Sequence, residues 1–201
     1  MRAAPALLLL VGACGPIVQV GAPAPPPDAL LTLSPTGPAA PAGLAAVDPA
    51  RAVTLLSATA PARLQSVRIP VQVSPTEVQY LRAAQWSEPP ARLFVRLVAD
   101  RLAGAGVAVI DRRVTGKAAP RVLGGELAAF HVEAWGTPVV KVRFDATLAG
   151  PDGVRQRQFA REGRVGAVEP GEVSRALNAA ANAVAADVAA WVAGTASAPP
   201  G

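Results

Sequence analysis

The chain has 201 residues, 51% of them hydrophobic, and a formal net charge of +5, which is enough for one domain with a sizeable core. A single Cys excludes an intrachain disulfide, and with one His beside it the sequence offers no structural zinc site and no cofactor-binding motif. Lys and Arg are spread along the chain without a dense tract, which argues against a nucleic-acid partner.

In chain order, Arg2, the apolar run Leu7–Val11 and the small pair Gly12-Ala13 precede Cys14. A positive start, a short apolar core and a small-residue boundary make a secretory signal. The run is far short of the ~20 residues that span a bilayer as a helix. Val11, Gly12, Ala13 and Cys14 resemble a bacterial lipobox, which implies cleavage after residue 13 and a lipid-carrying Cys14. The alternative is an ordinary signal peptide cut elsewhere. Gly15–Pro49, rich in Pro, Ala and Gly, reads as a semi-rigid tether. It is interrupted by Ala29–Leu33, a candidate edge strand.

The folded domain is expected to start near Arg51, giving a signal peptide at 1–13, a lipidated N-terminus and tether at 14–50, a domain at 51–193 and a tail at 194–201. Arg51–Leu56 is short and β-prone. Leu64–Val73 places Val67, Ile69, Val71 and Val73 on one face, with Pro70 marking an edge, a bulge or a segment end. Ser74–Pro90 reads as a long connection. Within it Arg82 and Trp86 have the chemistry of a surface contact, although the expected place of Trp86 is the core.

Ala91–Ala103 predicts a helix whose apolar side is Leu93, Phe94, Leu97, Val98 and Leu102, closed by Gly104 and Gly106. Val107–Ile110 reads as a strand and leads into Arg112-Arg113, two further candidates for partner contact. Arg121–Trp135 reads as a strand region broken at Gly124-Gly125. Val139–Leu148 alternates cleanly, with Val140, Val142, Phe144, Ala146 and Leu148 inward. Gly150-Pro151-Asp152-Gly153 signals a turn, and Arg155–Arg161 returns as a polar strand near an edge. Gly171–Ala193 is the second helix, with Glu169 and Glu172 at its positive end. The expected class is α+β: a two-layer domain in which two helices pack on a mainly antiparallel sheet.

No nucleophile elbow, phosphate loop or HExxH helix is present. His131 has no Ser or Cys that stands out as a partner, and its expected place is an outward or half-buried strand position. Glu126 and Glu133, the nearest approach to a carboxylate pair, need not share a face. The chain is therefore not expected to be an enzyme.

The order of features resembles a family. The lipobox is followed by the apolar segment Leu30–Leu33, the valine-rich strand ending at Val67–Pro70, and the element Trp86-Ser87-Glu88-Pro89. A helix with Leu93, Leu97 and Leu102 comes next, then a meander and a terminal Ala/Val-rich helix. This is similar to the ABC-type transport auxiliary lipoprotein family, the PqiC-like component of lipid-transport systems. Leu31 stands where that family often has an aromatic residue. The resemblance implies an outer-membrane lipoprotein that projects into the periplasm and docks an MCE-domain protein. Gly15 after Cys14 is not the aspartate that commonly signals inner-membrane retention. The other readings are a structural or assembly lipoprotein and a lipid-enclosing carrier. A homo-oligomer assembled through an edge such as Leu64–Val73 is also expected as a candidate.

Overall fold

The computed structural model describes residues 29–37, 51–111, 116 and 119–195. The strands are β1 (Ala29–Leu31), β2 (Val53–Leu55), β3 (Pro70–Gln72), β4 (Val78–Tyr80), β5 (Ala84–Trp86), β6 (Arg121–Glu133), β7 (Val139–Gly150) and β8 (Gly153–Arg164). The helices are α1 (Pro90–Gly104) and α2 (Pro170–Thr195). The main sheet runs β4-β3-β6-β7-β8, with β2 parallel to the start of β6. Strands β6, β7 and β8 form the expected antiparallel meander. One face of this sheet carries both helices, so the molecule is an α+β two-layer domain. Three pairings are parallel (β1–β5, β2–β6 and β3–β6), which makes the strand arrangement mixed.

Alternation builds β7. Val140, Val142, Phe144, Ala146 and Leu148 are all buried, while the intervening residues face away from the helices. The hairpin to β8 closes through Pro151-Asp152, and Gly150 pairs with Gly153. Gly153 sits at φ +104°, a conformation that favours glycine.

Helix α1 begins at Pro90, where the ring fixes φ and the missing N–H is not needed. It buries Leu93, Phe94, Leu97, Val98 and Leu102 as expected. Helix α2 buries Val173, Leu177, Val184, Val188 and Val192, with Ala180, Ala181, Ala185 and Ala189 between them. Those alanines let its backbone approach the sheet closely. The helix is long and apolar enough to cross a membrane by length and composition, yet its apolar stripe forms the core of this domain. Its first turn is tied back by Glu172, whose carboxylate accepts from the N–H groups of Gly166 and Ala167. Ring contacts link the layers: Trp86 with Phe130 at 5.4 Å, and Phe94 with Phe144 at 5.2 Å.

The structure departs from expectation at several places. Leu64–Val73 is not one edge strand. Ala62–Leu64 is a short 3-10 turn, only Pro70–Gln72 is extended, and β3 is paired on both sides, by β4 and β6. It therefore has no free edge for self-association. Pro70 stands at the start of the strand, as a residue without a ladder N–H should. The expected connection Ser74–Pro90 contains β4 and β5. Val107–Ile110 makes only an isolated bridge, Val109 to Val53.

Gly124-Gly125 does not break β6. A Cβ on Gly125 would lie 2.4 Å from Asp145 O and 2.7 Å from Phe144 Cζ. The glycine is required by close approach, and the irregularity falls later, between Leu127 and Ala129.

Residues 29–37 belong to the folded unit, ahead of position 51 where composition places its start. Strand β1 lies along β5. Beyond it, Ser34 N donates to Asn178 Oδ1 at 2.9 Å and Thr36 N to Asn182 Oδ1 at 2.7 Å. Asn182 Nδ2 returns a bond to Ser34 O at 2.9 Å. The segment is a strap fastened across α2.

Candidate docking surface

The sheet face turned away from the helices is polar by register. Lys141 is directly opposite His131 on β6 and Glu162 on β8. Its Nζ lies 2.9 Å from Glu133 Oε2 and 3.2 Å from Glu162 Oε1. These two carboxylates, Glu133 first, hold the Lys141 pKa above its ordinary value against a smaller cost of burial. One step along, Arg143 grips Asp145 through Nε at 2.9 Å and Nη2 at 2.6 Å. This is the two-pronged geometry that suits guanidinium and carboxylate.

A groove of about 650 Å³ opens on this face. Leu56, Ser57 and Thr59 form one wall, and Glu126, Thr147 and Gln156 stand among the residues opposite. The absent side chain at Gly124 leaves room for Leu56, whose Cδ1 is 3.4 Å from where a Cβ would be. Leu56 and Val154 leave apolar surface exposed nearby.

Strand β8 is the outer edge of the sheet, with only β7 beside it. Its twelve residues are exposed except Phe159 and the half-buried Gly163. It carries Arg155, Arg157, Arg161 and Arg164. Arg161 is ion-paired with Asp187 of α2, and Arg157 lies over the Phe159 ring at 5.2 Å.

A reacting centre does not emerge from these groups. Glu126 and Glu133 share the outer face, because the irregularity between them shifts the register. Seven residues along one strand separate them by about 23 Å, far beyond the ~5–9.5 Å of a glycosidase pair. Among the described residues, no group of three or more His, Cys, Asp or Glu is placed to hold a metal.

His131 is buried at 5% exposure, deeper than its strand position suggested, and both ring nitrogens lack a hydrogen-bond partner. Burial, then the nearby Arg63, lowers its pKa below the ordinary histidine value, and Glu133 opposes this only in part. A neutral, walled-in imidazole is a packing element here.

Of the residues singled out in the sequence, Arg82 is exposed, in the turn between β4 and β5. Trp86 is not at the surface. It is 1% exposed, packed edge-on to Phe130, so it belongs to the core and has no side-chain surface to offer a partner. Cys14, Arg112 and Arg113 lie outside the described residues.

Three features escaped sequence reading. One is the stacking of the Arg68 guanidinium on the Tyr80 ring at 3.8 Å. Another is the buried Arg121, which donates to Val192 O at 2.9 Å and to Arg51 O at 2.6 Å. The third is the pair Asn178 and Asn182, whose four-residue spacing within an alanine-rich helix was the available signal.

A family model described as the ABC-type transport auxiliary lipoprotein component matches residues 31–189. Among solved structures, protein XCC0632 from Xanthomonas campestris aligns with TM-score 0.64 at 18% identity, over 84% of this chain and 94% of that one. An uncharacterised protein aligns with TM-score 0.63 at 14% identity, over 82% of this chain and 99% of the other. PelC from Paraburkholderia phytofirmans, solved as a dodecamer, aligns with TM-score 0.43 at 19% identity, over 74% and 92%. Comparison with curated protein sequences yields no match. At these identities the first two likenesses concern the fold.

Proposed function

Because the chain belongs to the ABC-type transport auxiliary lipoprotein component family, we propose that it is a non-catalytic accessory of a lipid-transport system, anchored in the outer membrane through Cys14. Its task is to dock an MCE-domain protein that stands in the periplasm. The observation that carries this reading is the β8 edge. Twelve residues of strand expose unpaired backbone groups, with Gln156, Arg157 and Gln158 lining an open groove on one side and Arg155 and Arg161 standing on the helix side of the strand. An extended segment of a partner can add to such an edge through main-chain hydrogen bonds. Arg112 and Arg113 are proposed to contribute cationic side chains to partner recognition.

A lipid-enclosing carrier is less well supported. It needs an apolar cavity between the layers, and Phe94, Phe130, Leu127 and Leu177 occupy that space with essentially no exposure.

The reading is tested by placing a photo-crosslinking residue at Gln158, on the β8 edge, in cells that make the full chain. Capture of an MCE-domain protein is the expected outcome. Recovery of only secretion or cell-wall assembly proteins would replace transport by the assembly-lipoprotein alternative.

A further inference from the structure

The strap decides where the anchoring segment joins the domain. Ala29 N donates to Ala83 O at 3.2 Å, so the chain arrives at the turn that connects β4 to β5. From Cys14 to Ala29 is fifteen residues, a reach of at most about 50 Å. The point of arrival is therefore the part of the domain held nearest the lipid anchor.

That corner has a distinct chemistry. Arg82 is exposed in the turn, and Arg68 lies flat on Tyr80. Among the described residues neither arginine forms an ion pair. Val78, 40% exposed, stands two residues before Tyr80 on β4, and Leu30, 70% exposed, follows Ala29, which is bonded to the turn. The carboxylate nearest in sequence, Glu77, accepts from Gln79 Nε2 at 2.9 Å. Cations, a tyrosine and protruding aliphatic side chains are the combination that suits a headgroup layer.

We propose that the corner formed by Leu30, Arg68, Tyr80 and Arg82 rests on the anionic phospholipid surface of the membrane that holds the chain. This rests on the reading of Cys14 as a lipid anchor, and it assigns Arg82 to headgroups instead of a protein partner. A cation near an anionic leaflet strengthens partition about fivefold, which is weak for a free domain. On a short leash the encounter is intramolecular, with an effective concentration in the millimolar range, so weak contacts are occupied. The orientation has a second effect. Strands β4 and β8 are opposite edges of a five-strand path, about 19 Å apart at the usual strand spacing. Resting on the β4 side leaves the β8 edge clear of the lipid.

The test holds the chain start on vesicles without acylation, by replacing residues 1–14 with a hexahistidine tag bound to nickel-chelating lipid. Cys14 is the only cysteine, so Gln79→Cys or Gln158→Cys then supplies the sole thiol for a bimane label. Doxyl-labelled phosphatidylcholine serves as quencher. On mixed phosphatidylglycerol–phosphatidylcholine vesicles, the label at 79 is expected to be quenched several-fold more than the label at 158. Arg68→Ser with Arg82→Ser, or omission of phosphatidylglycerol, is expected to remove most of that difference. Equal quenching at the two sites, or a difference indifferent to both changes, overturns the proposal. Flotation of the acylated full chain reports on the anchor separately, so failure there leaves the tethered measurement valid.

Discussion

His131 and Arg121 are two cation-forming side chains withdrawn from water, and they are accommodated in opposite ways. Arg121 stays charged and is 7% exposed. Its guanidinium donates to the last turn of α2, where the helix leaves carbonyls unpaired and the dipole is negative. Burial and the neighbouring Arg51 both push its pKa down, without approaching neutrality for a guanidinium. His131 has only Glu133, 3.7 Å from its Nε2, to offset burial, and it resists protonation in the fold. As pH falls through the ordinary histidine value of about 6.5, the unfolded chain takes up a proton that the folded chain refuses. Stability should therefore decline on the acid side, in the window between that value and the lowered folded pKa. Replacing His131→Gln should flatten the dependence of urea midpoints on pH between about 7 and 5. A slope as steep as the parent's would show that other groups set it.

At the scale of elements, legibility follows the range of the interaction that makes the element. Strand β7 and both helices are readable because their buried residues recur at fixed spacing within one stretch. The turn before β8 is readable because its glycines and proline act locally. Strands β4 and β5 are three residues long and exist through partners at a distance in sequence, so no internal period announces them. Gly124-Gly125 looks like a break until Asp145 and Phe144 are seen to fill the space a side chain would need. Alternation correctly put His131 on the outer face, but not the local cover that buries it there. The β8 edge was legible as a polar return strand, whereas the groove beside it depends on residues 56–59 crossing to β6. The strap is the element most dependent on side chains. Asn182 makes three hydrogen bonds, one of them within its own helix, to Asn178 O at 2.9 Å. Asn182→Ala should cost about 1–2 kcal/mol and loosen residues 34–37 on α2, leaving Asn178 as the remaining clamp. Limited proteolysis should then cut within that segment well before the parent is cut. Parent-like resistance would mean that β1 and the Ser34–Asn178 bond secure it without Asn182.

For the whole molecule, the proposed anchor at Cys14 is the first point to test. Cys14→Ser should move the protein from the membrane fraction to the soluble periplasmic fraction, since acyl chains are what hold a lipoprotein there. If the variant floats with lipid as the parent does, the anchor lies elsewhere. Several self-pairing registers of β8 are discouraged by its own charges. In a two-fold antiparallel pairing centred anywhere from residue 155 to 159, an arginine at 155, 157 or 161 faces another arginine, which is unfavourable. Those registers are thus disfavoured, while the edge stays open to an acidic strand. The strap also has a mechanical consequence. Strand β1 runs parallel to β5, and Ala29 is its end on the side of the proposed anchor. A pull along that strand loads Ala29 N–Ala83 O and Ser87 N–Leu31 O together, with the Asn178 and Asn182 clamps behind them. The contacts are sheared at once instead of being unzipped in turn, so a pull on the proposed anchor would load β5 and α2 through the strap.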